Sequence, residues 1–391
     1  MKGAAGAIIA IVLVLAIIGL VMVASTSMVK AESLASCTLL NRQVLWVTLA
    51  VIVMFVMMHV DYHWLAKVSP WIVAGAVLLL VAVLVPGIGF RHNGARRWIR
   101  FLGFGIQPSE VAKLAVVLFV AAWFTRSPGR ADSPAALRLE TFRWGVLPVL
   151  AASGIVGGLI LAEPDLGTAV LVAVVGVTVA VLAGMRVRYL LPFVLPAVPL
   201  FYFLVWQVKW RHDRLLAFLD PWRYYDGVGY QLCQALVGLG SGGLFGVGPG
   251  QGRQKLGFLP EAIHDFIFAI LGEELGFLGT MGVLLLFAAF VWFAMRVAVR
   301  ARDRLGFLIA SGVTLTIGLQ ALINVAVVTG SMPTKGIALP FVSVGGSSLC
   351  CLMASVGLLL NVARQAEAAQ VVPDASPPKA EPKRPRRSRV R

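Results

Sequence analysis

About ten stretches of this chain are each long and apolar enough to cross a membrane, and this constrains the fold more than any other feature. A helix rises 1.5 Å per residue, so the roughly 30 Å hydrocarbon layer of a bilayer takes about 20 apolar residues. Hydropathy and helix breakers put the spans near residues 4–25, 43–60, 70–87, 107–125, 145–162, 165–184, 187–208, 266–295, 305–329 and 346–363. In lipid every backbone N–H and C=O must bond within the protein, which leaves helices as the solution for such runs. The expected fold is therefore all-α, a polytopic integral membrane bundle over residues 1–364 with no separate soluble domain. The first run, about Ala4 to Ala24, is too long for a signal-peptide core and ends in no small-residue cleavage site, so it reads as a membrane helix.

Composition agrees: 59% of residues are hydrophobic and only 13% charged. The net charge of +16 would suggest nucleic acid in a soluble chain. Here no nucleic-acid-binding fold accompanies it, and Lys/Arg-rich cytoplasmic loops facing anionic lipid account for it. Arg126, Arg130, Arg138 and Arg143 fall between spans four and five, Arg186 and Arg188 after span six, and Arg296, Arg300, Arg302 and Arg304 after span eight. The positive-inside rule puts these loops, and with an even number of spans both termini, on the cytoplasmic side. Residues 365–391 are rich in Pro, Ala, Lys and Arg and read as a disordered basic tail.

Two loops on the opposite, outer face break that rule. One is Phe90-Arg-His-Asn-Gly-Ala-Arg-Arg-Trp-Ile-Arg100, and the other is the longest loop, residues 209–265 between spans seven and eight. Positive charge placed against the insertion bias needs another explanation, and a phosphorylated lipid headgroup on the outer surface supplies one.

The chain holds only 18 Asp and Glu, yet Glu261, Asp265, Glu273 and Glu274 with His264 crowd into Leu259–Glu274. Ionisable groups at the membrane boundary are expensive and mark functional sites by default. On a continuous helix Glu261 and Asp265 share one face. Desolvation there raises a carboxylate's pKa and suits it to general-base work on a hydroxyl. The bland alternative is a carboxylate that caps the next helix. Lys113 lies inside span four, where an unpaired charge costs about 2.5–3.5 kcal/mol, so Glu110 at i−3 is its expected partner. Arg97 and Lys113 are candidates for neutralising a diphosphate. Trp98 reads as an interfacial anchor or a sugar-stacking ring. Glu163 and Asp165 flank a tight turn and read as caps for span six.

Other patterns carry less. Gly238–Gly243 matches G-x-G-x-x-G, but no βαβ unit surrounds it, so the glycine run to Gly257 reads as a close-packed or re-entrant loop. Ser27 and Lys30 form S-x-x-K without its partner motifs. Cys37, Cys233, Cys350 and Cys351 have no metal-ligand spacing.

Taken together the motifs resemble the SEDS family of cell-wall polymerases, and its FtsW branch most. The resemblance rests on Asn93-Gly-Ala-Arg-Arg-Trp-Ile99, Gln107-Pro-Ser-Glu110 with Lys113, Pro164-Asp-Leu-Gly-Thr168, Asp220-Pro-Trp222, Gly229-Tyr-Gln231 and Leu259-Pro-Glu-Ala262. Asp265-Phe-Ile-Phe268, Glu273-Glu-Leu-Gly276, Pro333-Thr-Lys-Gly336, Leu339-Pro-Phe341 and Gly345-Gly-Ser-Ser348 complete it. Two positions depart: the family's His-Thr before the aspartate is Ile263-His264 here, and its usual Tyr is Val344.

The resemblance implies a glycosyltransferase that polymerises lipid II into β-1,4 glycan strands on the outer face of the cytoplasmic membrane, for septal wall synthesis. It implies Asp265 as the catalytic residue, and Arg97, Trp98, Glu110, Lys113, Glu261, Lys335, Ser343 and Ser347 as a substrate-binding set. A divalent cation such as Mg or Mn is an implied cofactor, and no nucleotide is. Implied partners are a class B penicillin-binding protein and other divisome proteins. A lipid II transporter and a non-catalytic divisome scaffold are the alternatives.

Overall fold

The computed structural model describes residues 2–28, 35–92, 95–101, 104–126, 142–190, 205–371 and scattered positions between 191 and 204. Eleven α-helices are present among them: α1 Lys2–Met28, α2 Ala35–His59, α3 Tyr62–Leu84, α4 Pro108–Thr125, α5 Leu147–Ala162, α6 Leu166–Leu182, α7 Lys209–Leu219, α8 Tyr230–Ser241, α9 Ile267–Val299, α10 Arg304–Val328 and α11 Gly346–Val371. Seven of these, α1–α4 and α9–α11, are long and apolar enough to cross a membrane.

Helices α5 and α6 stand at the expected fifth and sixth spans but have only 16 and 17 residues, about 24–26 Å of helix. A π-helical turn, Phe142–Val146, leads straight into α5 and lengthens it. The expected span over 187–208 is described only in part, and the basic loop between spans four and five falls largely outside the described residues. The tail expectation needs one correction. Helix α11 continues to Val371, so residues 365–371 are helical, and residues 372–391 lie outside the described set.

Helix α4 is the hub. It packs against α3, α5, α6, α10 and α11, and Ala112, Ala115, Ala121 and Ala122 on it are fully buried. Small residues let the backbones close up, as membrane bundles require when lipid tails supply no hydrophobic push between helices. A Cβ on Gly312 of α10 would fall 2.5 Å from Val117 of α4. One on Gly176 of α6 would fall 2.7 Å from the Ser153 hydroxyl of α5. Large apolar side chains such as Ile17, Trp71, Leu78 and Leu285 point outward, where lipid would cover them.

Two segments expected as loops carry structure. After α3 the chain forms a three-stranded antiparallel sheet, β1 Gly89–His92, β2 Ala95–Phe101 and β3 Phe104–Ile106, in the order β1-β2-β3. The 209–265 segment holds α7, α8 and a short 3-10 turn, Gln254–Leu256.

The glycine run begins inside α8, which carries Gly238 and Gly240; from Gly242 on it is a close-packed loop, and the reason is visible at Gly276. There φ is +68° and ψ −166°, a conformation that breaks α9 and is essentially open to glycine alone. The carbonyls of Glu273 and Glu274, freed by the break, accept from Val247 and Gly248 N–H at 3.0 and 3.1 Å. Phe277 and Leu278 N–H in turn donate to the carbonyls of Gly243 and Leu244. The loop thus satisfies backbone groups that lipid could not. It comes so close that a Cβ on Gly242 would sit 1.9 Å from the Gly272 carbonyl oxygen.

Candidate active site

The four carboxylates of the 259–274 stretch do not form one cluster. Glu273 and Glu274, inside α9, are 3% and 1% exposed and belong to a buried knot under the glycine loop. Glu273 accepts from the N–H groups of Arg253 and Gln254, at 2.7 and 3.1 Å. Glu274 meets Lys255 Nζ at 2.6 Å and Ser25 Oγ of α1 at 2.6 Å, and accepts from Gly250 N–H at 3.0 Å. Every charge there has a partner, so the knot clamps the loop to α1 and α9.

Glu261 and Asp265 lie instead in a turn just before α9, at the sheet-bearing end of the bundle. The helical continuation expected through them does not form. Glu261 takes a left-handed conformation, φ +53°, and its carbonyl accepts from both His264 and Asp265 N–H at 3.1 Å. The Glu261 carboxylate is held by His264 Nδ1 at 3.0 Å.

Asp265 is partly buried. Its carboxylate rests on the exposed Gly336, where a Cβ would lie 3.0 Å from Oδ2. Burial pushes the carboxyl up to about 6; His264 and Arg97 pull it down, while Glu261 and Asp165 push it further up. At neutral pH it is ionised yet holds a proton far more readily than an ordinary aspartate, which suits a general base.

Two guanidiniums act on this carboxylate, and an ammonium stands on the segment beside it. Arg97 is carried by β2, and its Nε donates to the Glu163 carbonyl at 3.0 Å, with Nη2 on the Pro164 carbonyl. Carbonyls anchor the guanidinium without neutralising it. Arg214 of α7 lies within electrostatic reach of both Arg97 and Asp265, and burial lowers its pKa. Lys335 precedes Gly336; burial lowers its pKa, and Asp165 opposes that. The Lys335 stem lies on Gly167 at the start of α6, where a Cβ would fall 3.6 Å from Cδ. Two guanidiniums around one carboxylate, with an ammonium beside Asp165 on the adjoining segment, make an environment for a polyanion beside a base.

Asp165 caps α6 as expected, accepting from Thr168 N–H at 3.1 Å and Thr168 Oγ1 at 2.9 Å. Glu163 is no cap. Both its carboxylate oxygens are buried without a hydrogen-bond partner, and burial followed by Asp165 pushes it up to about 8, so it is neutral at pH 7.

The other expected binding residues are placed differently. Lys113 is 7% exposed, paired with Glu110 at 2.9 Å and bonded to Gln320 Oε1 of α10 at 2.8 Å. The expected Glu110 pairing forms, and the ammonium is committed inside the bundle rather than to the cation group around Asp265. Trp98 lies over β3, with its ring 3.2 Å from where a Gly105 Cβ would be. Strand alternation puts it on the face opposite Arg97. Ser343 Oγ accepts from Leu339 N–H at 2.9 Å, and Ser347 Oγ from Gln107 N–H at 3.1 Å. Both serines are buried and hold the framework. Arg214 was missed by sequence reasoning. Its signal was the basic run Lys209-Trp-Arg-His-Asp-Arg214 in a segment that breaks the positive-inside rule.

Among the described residues no group of three or more His, Cys, Asp or Glu side chains is arranged to hold a metal ion. Cys233 is buried and free, and Cys350 and Cys351 are free as well.

Known proteins resemble the chain in sequence and fold. Probable peptidoglycan glycosyltransferase FtsW of Geobacter sp. strain M18 is 43% identical over 358 residues, 90% of this chain and 95% of the relative. Stage V sporulation protein E of Bacillus subtilis is 40% identical over 356 residues, again 90% and 95%. Among solved structures, a peptidoglycan synthase complex described as coordinating polymerisation and crosslinking superposes with a TM-score of 0.72 at 27% identity, covering 94% of this chain and 98% of its own. The rod shape determining protein RodA of Thermus thermophilus superposes with a TM-score of 0.65 at 28% identity, covering 92% and 96%. Residues 6–368 match the family profile described as cell cycle protein, and the chain belongs to this FtsW, RodA and SpoVE family of integral membrane proteins.

Proposed function

We infer that the chain is a peptidoglycan glycosyltransferase that polymerises lipid II, the undecaprenyl-diphosphate-linked disaccharide-pentapeptide, for septal wall synthesis. The observation that carries this reading is one proton-ready carboxylate, Asp265, set among Arg97, Arg214 and Lys335 at the end of a membrane bundle. Curated relatives over nine-tenths of the chain are named for that activity.

Asp265 takes the proton from the 4-hydroxyl of the acceptor GlcNAc. The freed oxygen attacks C1 of the donor MurNAc from the face opposite the leaving group, and the bond to undecaprenyl diphosphate breaks with inversion. The diphosphate leaves readily by itself, so the protein's larger task is to stabilise charge growing on it. Arg97, Arg214 and Lys335 do so, the guanidiniums through paired N–H donors and the ammonium as a point charge. General-base help adds roughly 10²–10⁴-fold. Among the described residues no group of side chains is arranged as a cage for a divalent ion, so no step is routed through one; an ion that takes part would arrive on the substrate's phosphates.

The site faces the outer side of the cytoplasmic membrane, with both termini cytoplasmic, because the basic turns at the far end of the bundle, around Arg186 and Arg296–Arg304, suit the cytoplasm. A class B penicillin-binding protein, which crosslinks the new strands, is the expected partner, together with other divisome proteins. The structural neighbour that coordinates polymerisation with crosslinking supports this. The transporter alternative relied on intramembrane charge, but Glu110 with Lys113, and Lys255 with Glu274, are tied into separate buried knots.

Reconstitution in liposomes with fluorescent lipid II tests the reading. Glycan made by the wild type and not by Asp265→Asn is the expected result. Label crossing between leaflets without glycan, or equal synthesis by both proteins, overturns it.

A further inference from the structure

Two amides on α10 have no part in the reaction as described. Gln320 and Asn324 are four residues apart on one helix face, and they are 2% and 1% exposed. Asn324 Nδ2 donates to the Asp265 carbonyl at 2.8 Å and to the Ile337 carbonyl at 2.7 Å. Gln320 Nε2 donates to the Ala338 carbonyl at 3.1 Å, and its Oε1 accepts from Lys113 Nζ at 2.8 Å. Lys113 is held in turn by Glu110 at 2.9 Å. The 337–338 backbone, gripped by both amides, therefore links the ion pair on α4 to the backbone of Asp265.

The chemistry of the partners fixes how both amides point. Carbonyls only accept, so Nδ2 of Asn324 faces the pair at Asp265 and Ile337; an ammonium only donates, so Oε1 of Gln320 faces Lys113. Asn324 Oδ1 is left buried without a partner. That is a desolvation cost which an apolar residue would avoid, and it is accepted to keep two donors at this spot. The two carbonyls belong to the two pieces of chain that meet at the reaction centre. One carries Asp265; the other carries Lys335 and Gly336, on which the Asp265 carboxylate rests.

We propose that Asn324 is the positioning residue for the Asp265 base, its one amide clamping the Asp265 turn to the 335–338 segment, and that Gln320, anchored by Lys113, sets the register of the clamp. The proposal rests on Asp265 acting as the base. It also gives Lys113 a part in turnover without contact with substrate: the ammonium orients the amide that orients the segment beside the carboxylate. A catalytic group misplaced by about 1 Å loses roughly 100-fold in rate, which sets the scale of the effect.

The test uses full-length Asn324→Ala, Asn324→Asp, Gln320→Ala and Asp265→Asn, each reconstituted with lipid II. Measured are kcat and KM per folded molecule, the acid limb of kcat/KM, and the melting temperature. Asn324→Asp is near-isosteric and its carboxylate cannot donate to two carbonyls, so it carries the test if Asn324→Ala fails to fold. The expected result for both Asn324 variants is a kcat lower by about 10–100-fold and KM within about twofold; the acid limb moves to lower pH in Asn324→Ala as the released carboxylate gains water, and to higher pH in Asn324→Asp, whose added like charge opposes ionisation of Asp265. Gln320→Ala moves the same quantities less. A role in stability alone would lower the melting temperature and leave kcat per folded molecule and the acid limb in place, and that outcome overturns the proposal. Asp265→Asn separates the two failures. If it is inactive while the Asn324 variants turn over normally, positioning is wrong and the base stands; if it turns over normally, the base and the clamp fall together.

Discussion

Lowering the pH from 7 to 5 should remove about nine-tenths of turnover while the protein stays folded. The Asp265 carboxyl sits at about 6 because burial penalises its charge, with Glu261 and Asp165 adding to the rise and His264 and Arg97 opposing it. A base works as the carboxylate. With a pKa of about 6 the ionised fraction is about 0.9 at pH 7 and about 0.1 at pH 5, a tenfold change. The stability sign runs the other way. A carboxyl raised on folding binds its proton more tightly in the native state, so its contribution to stability is present in acid and is lost as pH rises through about 6. Acid therefore silences this group without unfolding the protein through it, and a melting curve at pH 5 separates the two effects.

The assay is glycan synthesis from lipid II in liposomes, read as kcat/KM across pH. The neighbours supply signed controls. Glu261→Gln removes a like charge and should move the acid limb to lower pH, whereas Arg97→Gln removes an opposite charge and should move it higher, besides weakening substrate binding. His264→Gln also removes an opposing effect, so the limb should persist and move to higher pH. An acid limb near pH 4, or one that vanishes with His264→Gln, would refute the assignment of this titration to Asp265.

Three other outcomes follow from the packing. Lys113→Met strands the buried Glu110 carboxylate and should cost about 3–5 kcal/mol of stability, much of it restored in the double variant with Glu110→Gln, as measured by thermal unfolding in detergent. Gly276→Ala places a Cβ 2.3 Å from the Gly246 nitrogen in a backbone region nearly closed to alanine; it should cost at least about 1–3 kcal/mol and loosen the 242–257 loop, read by proteolysis. Removing divalent ions with a chelator should lower turnover if an ion accompanies the substrate's phosphates, while the melting temperature stays put because the described residues hold no cage to empty.

The membrane architecture was legible in the sequence because hydropathy over 20 residues is a local property and lipid admits few alternatives. Asp265 and Arg97 were legible as rare charges in segments where charge is costly. Their neighbours were not. Lys113 read as a diphosphate ligand, yet its partner Gln320 lies 207 residues away, and only the packing of α4 on α10 brings the two together. Glu273 and Glu274 read as part of the Asp265 cluster, yet the break at Gly276 and the loop folded over it draw both carboxylates into a separate knot.

Sequence alone thus determined that the chain is a helical membrane protein with a costly aspartate before one span and arginines on another loop. The tertiary structure decided which charges face one another. Burial, unlike hydropathy, belongs to no single residue: Asp265 becomes a base, Glu163 a neutral acid and Lys113 an internal anchor through the side chains that distant helices bring against them.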